Sequence, residues 1–390
     1  MATIKKRGDS YLIRVSCGYD INGNHMEQSM TWKPEKGMTP KQIKKEVERQ
    51  ATLFEEACNY GYKTSAIKFQ ELAEEWFEEY ANLNLRHTTL YRMRNITHRV
   101  YPLLGHLRID KITVRHIQGF INSLAKEGAN INTGKPLSRK TIIHHLTFIS
   151  DVFSYAIRSG LVSDNPCSKV IIPKGESKEK EIYSQEEMMK LLSLMQDQPL
   201  KYRVFFFLLA YSGFRRAEML GLEWKDVDFD NCTISVRRTA NYVSGVGTYT
   251  DTTKTRRSQR TLKIAVQIIE MLRDLQDEQA DEALRLGDKW VDTDRIFTRW
   301  NGETMGSHTP YKWLRDLCDA NELPFYGIHS FRHFAASSMI SAGIDVTTVS
   351  GALGHCNSAT TLNIYSHVFQ TAQARVSEAM DCVFGFLQKG

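Results

Sequence analysis

Between Gly327 and His367 the chain carries side chains suited to phosphate chemistry. The stretch reads Gly327-Ile328-His329-Ser330-Phe331-Arg332-His333, then an apolar run to Gly343, then Leu353-Gly354-His355, with Tyr365 ten residues further on. His329 and Arg332 stand at i and i+3, so on a helix they share one face. Phe331, Phe334, Ala335 and Met339 fall largely on another face, against a core. Guanidinium and imidazole donors beside a phenol, with no carboxylate pair and no metal cage, suit phosphoryl transfer to a protein nucleophile. Alone the stretch does not decide the matter, because His-x-x-Arg pairs arise by chance and a single tyrosine is often a packed ring.

Two earlier segments extend the set. In Ser212-Gly213-Phe214-Arg215-Arg216-Ala217-Glu218, Gly213 closes an apolar helix that includes Val204 to Tyr211. Arg215 is expected in the first turn of the next helix, with Glu218 three residues on to hold it. Asp226-Val227-Asp228 leads into a strand from Thr233 to Arg237, and after a Gly-rich turn comes Thr253-Lys254-Thr255-Arg256-Arg257-Ser258-Gln259-Arg260. Five Lys/Arg from Lys254 to Lys263 on a hairpin either protect an edge strand from aggregation or bring a lysine to a scissile phosphate. His329 and His333 at i, i+4 are spaced like a zinc-protease pair, but Ser330 stands in place of the needed glutamate, so no metal is expected there.

Length and composition narrow the class. A chain of 390 residues predicts two to three domains, and 42% hydrophobic with 25% charged residues fits a soluble globular protein. No run of eighteen apolar residues suggests a membrane span, and Met1-Ala2-Thr3-Ile4-Lys5-Lys6-Arg7 lacks a signal-peptide core. Seven scattered cysteines without a Cys-x-x-Cys pair fit a reducing cytoplasm and no zinc site. Net charge is only +6, so its distribution matters more than its size.

The elements that position these residues read as a multidomain chain, mainly α with small β-sheets. Residues 1–62 alternate as strands over Ser10–Ser16 and from His25 to Trp32, around a turn at Asp20–Asn24. A helix capped by Thr39 with Pro40 at its first position then runs to about Asn59. Nine Lys/Arg against four Asp/Glu from Met1 to Lys45 give this module a basic surplus, with Arg14 as its natural probe of DNA. Residues 63–173 are helical. An acidic amphipathic helix covers Phe69–Tyr80, and then the sign flips, with eleven Lys/Arg, two acidic residues and six histidines between Arg86 and His145. Arg86, Arg92, Arg94, Arg99, Arg139 and Lys140 are the DNA-contact candidates of that bundle. Ser138 caps a helix continuing to Gly160. Residues 174–183 read as an exposed linker, and a Ser184/Glu187 capping box opens a mixed α+β domain over 184–390. Its tail (Ala374, Val376, Ala379, Met380, Val383, Phe384, Phe386, Leu387) is apolar at near-helical spacing. Docking on a neighbouring subunit is the reading preferred for it.

Taken together, Arg215 in Gly-Phe-Arg-x-x-Glu, Lys254 in Thr-Lys-Thr, His329-x-x-Arg332, His355 after Leu-Gly, and Tyr365 resemble the tyrosine recombinases in order and spacing. The whole chain is similar to integrases of conjugative transposons and lambda-like phages. This resemblance implies a β-sheet arm-binding domain, a helical core-binding domain and a catalytic domain. It implies Tyr365 as the nucleophile forming a 3′-phosphotyrosyl link, and Arg215 and Arg332 on the non-bridging oxygens. Lys254, or failing it Arg256 or Arg257, would be the acid for the leaving 5′-oxygen. His329 would manage the phenol proton, His355 would donate to the phosphate and Glu218 would support the site. No ATP, metal or other cofactor is implied. The partners implied are double-stranded DNA at core and arm sites, a homo-tetramer around a Holliday junction, an excisionase and a host DNA-bending protein, with no membrane, in a bacterial cytoplasm and on its nucleoid. The competing readings are a type IB-like topoisomerase and a non-catalytic architectural DNA-binding protein. Ser212 and Arg216 depart from the commoner threonine and aliphatic residue, which bears on local packing but not on the chemistry.

Overall fold

The computed structural model describes residues 2–19, 25–35, 37–59, 67–175, 181–252, 259–355, 357–359, 361–362 and 365. The chain divides into two compact units, Met1–Lys178 and Glu179–Gly390. Lys254, Arg256, Arg257, the Asp20–Asn24 turn and the apolar tail lie outside the described residues.

The first unit begins with an antiparallel sheet of Thr3–Arg7, Ser10–Tyr19 and His25–Trp32, in that order. Strand alternation buries Ile13 and Val15 and leaves Arg14 exposed between them. The buried face packs on Ala51 and Phe54 of helix Pro40–Asn59. Thr39 caps that helix, its hydroxyl accepting the Gln42 N–H while the Gln42 amide oxygen accepts the Thr39 N–H. The bundle that follows closes around Trp76, Phe77, Phe148 and Phe153. Its acidic helix is α-helical only over Phe69–Trp76 and widens into a π turn at Phe77–Ala81, short of the uniform helix expected to Tyr80. The reason is packing: the wider turn lets consecutive rings, Trp76 and Phe77, both reach Phe148. Helix Arg139–Arg158 starts at Ser138, whose hydroxyl accepts the Thr141 N–H.

In the second unit, helix Leu200–Ser212 buries Val204, Phe205, Phe206, Leu208, Leu209 and Ala210 and is correspondingly central. Phe205, Phe206 and Leu209 pack with Phe297, Leu314 and Phe331. Each such side chain contributes about 1.5–3 kcal/mol by leaving water. A three-stranded antiparallel sheet (Val227–Asp228, Thr233–Val236, Arg260–Lys263) and the hairpin Arg238–Val243/Gly247–Thr252 flank this core. Two helices, His329–Ser341 and Val346–Leu353, bury Ala336, Ile340, Val349 and Leu353 around Tyr365.

Candidate active site

The site is assembled where helix ends meet. Helix Leu200–Ser212 ends on Gly213, left-handed at φ 63°, and helix Val346–Leu353 ends on Gly354, left-handed at φ 66°. Both positions favour glycine by their φ, and a Cβ on Gly213 would lie 2.9 Å from Leu353 Cδ2 and one on Gly354 2.7 Å from Arg260 Nη1, so either neighbour would have to shift. The last carbonyls of a helix lack partners within it and carry partial negative charge. Three guanidiniums take them up. Arg332 donates to Gly213 O (2.8 Å) and Leu353 O (2.7 Å), Arg215 to Gly354 O (3.0 Å), and Arg260 to Ala352 O (2.6 Å).

Glu218 ties two of these cations together. Its carboxylate accepts from Arg215 Nη1 (2.7 Å), from the Arg215 backbone N–H (2.9 Å) and from Arg260 Nη2 (2.9 Å). Arg215 therefore caps the short helix Arg216–Met219 from an extended backbone, one position before the first turn expected for it. Burial pushes the Glu218 carboxyl up, but the Arg260 and Arg215 guanidiniums outweigh it and hold the carboxyl below its ordinary 4.5. Glu218→Gln is expected to destabilise the full-length protein by about 3 kcal/mol, since it strips the partner from two partly or fully buried cations. The difference should be complete above pH 4.5 and shrink as pH falls through the carboxyl's lowered value, because protonation then removes the same charge from the native chain. Urea unfolding of both proteins across pH 3–7 (roughly the carboxyl range) checks this, and a constant gap would count against the ion triad.

Among the described residues, the guanidiniums of Arg215, Arg260 and Arg332 gather around the Glu218 carboxylate. Arg332 is only 2% exposed, and burial together with the neighbouring Arg215 pushes it down to about 9. A helix face presenting Arg332 was expected; its guanidinium is instead drawn inward by the two carbonyls. His355 sits under the same cations. Its Nδ1 lies 2.7 Å from Thr361 Oγ1, and burial followed by Arg332, Arg215 and Arg260 pushes the imidazole down to about 4, so it is neutral at pH 7. Tyr365 is 2% exposed, and burial pushes its phenol up to about 12 despite the opposing pull of Arg332. Its hydroxyl lies 2.8 Å from Nδ1 of His333, whose ring meets His329 edge-on at 4.9 Å.

The hairpin Arg238–Val243/Gly247–Thr252, which precedes Lys254 in the sequence, is braced. Arg238 at its base is paired with Asp226 (2.5 Å) and Glu223 (2.7 Å), and Arg295 donates to Thr250 Oγ1 (2.6 Å) and to Gly221 O.

The structure thus brings Arg215, Glu218, Arg332, His355 and Tyr365 together, with His329 alongside through His333. Two residues given no part in the sequence reading join them. Arg260 shares a strand face with Leu262 and Ile264, and that period of two marks it as inward-pointing. His333 lies on the helix face of His329. Among the DNA-contact candidates, Arg92 and Arg139 are exposed, as is Lys140. Burial, then Arg92 and Lys140, push His144 down, and burial with Arg99 and His144 outweighs a Thr141 carbonyl to lower His145. Arg86 is half-buried at the start of helix His87–Val100. Arg14 pairs with Glu27 at 3.3 Å. Arg94 is bonded to Glu74 and lies 3.7 Å over the Phe77 ring, which holds it to the acidic helix.

A buried phenol beside clustered guanidiniums is an arrangement that can pass a phosphoryl group through the protein's own side chain. Sequence comparison narrows this class. The Phage integrase family model matches residues 181–372, and that of the Phage integrase, N-terminal SAM-like domain matches 68–125. The chain belongs to the phage integrase family, the tyrosine recombinases. A tyrosine recombinase XerC-like protein of Caldanaerobacter subterraneus subsp. tengcongensis is 27% identical, over 98% of either chain. The ICEBs1 integrase of Bacillus subtilis is 27% identical over 70% of this chain and 72% of its own. Among solved structures, the Tn1549 transposon integrase in complex with transposon right end DNA superposes with a TM-score of 0.65 at 21% identity, over 80% of this chain and 99% of that one. A lambda integrase dimer bound to a core site gives 0.55 at 15% identity, over 93% of each. These likenesses show the fold.

Proposed function

We propose that this recombinase integrates and excises a mobile element by cutting and rejoining double-stranded DNA through a 3′-phosphotyrosyl link at Tyr365. The observation that carries the reading is the cluster of Arg215, Arg260 and Arg332 around Glu218, with Arg332 acting on the buried Tyr365 phenol. A phosphodiester brings negative charge to this cluster, and planar forks bind its two non-bridging oxygens better than a point charge does. In the reaction the Tyr365 oxygen attacks phosphorus and the P–O5′ bond breaks. Arg215 and Arg332 hold the non-bridging oxygens, and Lys254 gives a proton to O5′. Neutral His355, its Nδ1 held by Thr361, presents its other ring nitrogen as a donor to the phosphate, and His329 lines the same side. The link keeps the energy of the broken bond, so ATP has no part. Strand exchange through a Holliday junction requires four copies in a ring, and the chain acts in the bacterial cytoplasm on nucleoid DNA. The names of the relatives, integrases and transposases of mobile elements among them, favour this over a type IB-like topoisomerase. The test is to trap the protein–DNA adduct in cells, sequence the attached DNA and map the modified peptide. Recovery of random sequence would favour the topoisomerase; an adduct on another residue would refute the assigned nucleophile.

On this proposal the labour divides among residues 1–62, 63–173 and 184–390. The face carrying Arg92, Arg99, Arg139 and Lys140 binds core sites, and the sheet face carrying Arg14 binds arm sites. An excisionase and a host DNA-bending protein complete the assembly. Holding two sites at once gains affinity through effective concentration. Deleting Met1 to Asn59 is therefore expected to spare cleavage of isolated core sites and to reduce recombination of full attachment sites by about 10²-fold or more. Footprinting should show the outer protection lost. If the shortened chain protects and recombines full sites normally, the module does not bind arms.

A further inference from the structure

Resting on that reading, we infer that His333 is the catalytic base of strand cleavage: its Nδ1 takes the proton from the Tyr365 hydroxyl as the phenol oxygen attacks phosphorus. The sequence motif assigns the phenol proton to His329, four residues earlier. In the folded chain Nδ1 of His333 lies 2.8 Å from the hydroxyl, within direct transfer distance. The two rings stand 5.6 Å apart and tilted by 57°, an arrangement that directs the ring nitrogen to the oxygen and not to the ring face. Tyr365 is closed off from solvent, so water is poorly placed to remove the proton. His329 meets His333 edge-on at 4.9 Å and fixes its plane.

The step balances without a further reactant. Neutral His333, in the tautomer with its hydrogen on Nε2, accepts the phenol hydrogen at Nδ1 and becomes imidazolium. The P–Oη bond forms as the P–O5′ bond breaks, and Lys254 supplies the hydrogen that O5′ acquires. In rejoining, the incoming 5′-hydroxyl returns its hydrogen to the Lys254 amine, and His333 reprotonates Tyr365 as it leaves. The assignment separates the two imidazoles by task. His355, held on Thr361 beneath the arginines, faces the phosphate, and His333 faces the nucleophile.

The experiment uses the full chain and the DNA recovered from the covalent trap, nicked so that cleavage cannot reverse. His333→Gln retains a hydrogen-bonding amide but cannot accept a proton. It should bind this DNA with unchanged affinity and cleave about 10²-fold more slowly in a single turnover. Tetrafluorotyrosine at position 365, whose phenol releases its proton far more readily than that of tyrosine, should raise the rate of the His333→Gln chain by about tenfold or more and leave the His333 chain without any such gain. Wild-type cleavage by His333→Gln overturns the inference. So does a slow variant that the fluorinated phenol fails to rescue, which would make His333 a packing partner only. If the unaltered chain forms no adduct at Tyr365, the recombination chemistry itself fails and this step falls with it. An adduct at Tyr365 that is indifferent to His333 removes the step alone.

Discussion

Tyr365→Phe is expected to bind its DNA as the unaltered chain does and to form no SDS-resistant adduct on a nicked substrate. The substitution removes one hydroxyl from a ring that is buried among Ala336, Ile340, Val349 and Leu353, so the packing that holds the segment survives. What is lost is the only atom through which this ring can bond to phosphorus. Because the hydroxyl also engages His333, the variant should show a small stability change, about 1 kcal/mol by the usual worth of one hydrogen bond. The adduct assay and a gel shift on one DNA separate the two effects. A surviving adduct would redirect the search to Tyr326 or Tyr311, which line a cavity beside His329.

Lys254→Ala is expected to slow cleavage by roughly 10²–10⁴-fold, the range for a positioned proton donor. A substrate with sulfur at the 5′-bridging position should recover most of that loss, since a thiolate leaves without a proton. Equal defects on the two substrates would make Lys254 a DNA contact and turn attention to Arg256 or Arg257. The braced hairpin adds a second expectation. Arg295 holds Thr250, four residues before Lys254, so Arg295→Lys should give a weaker copy of the same pattern, again relieved by sulfur.

Much of the fold and of the site was legible because it rests on local rules. Ser138, Ser184 and Thr39 mark helix starts by their side-chain oxygens, and Gly213 marks an end by its φ. Arg215, Glu218, Arg332, His355 and Tyr365 were legible as a set from their order along the chain. Missed features depend on packing between distant segments. Nothing local says that Trp76 and Phe77 must both face Phe148 and so widen the helix, or that Glu74 will pair with Arg94. The pairing of Tyr365 with His333 spans thirty-two residues and is fixed by tertiary packing, which spacing along one helix does not encode. Arg260 was within reach of the sequence, since strand alternation alone turns it inward.

The guanidiniums rest chiefly on main-chain carbonyls at helix ends, and this bears on how the enzyme can diversify. A carbonyl is supplied by any residue, so side chains along the helices Leu200–Ser212 and Val346–Leu353 are free to drift so long as each helix stops at the same place. The stopping points are the two glycines. A lineage can therefore rewrite most of the surrounding core, acquire new DNA preferences on its outer faces, and still inherit the phosphate cradle intact. The heritable part of the site is a backbone path, and only a handful of letters spell it.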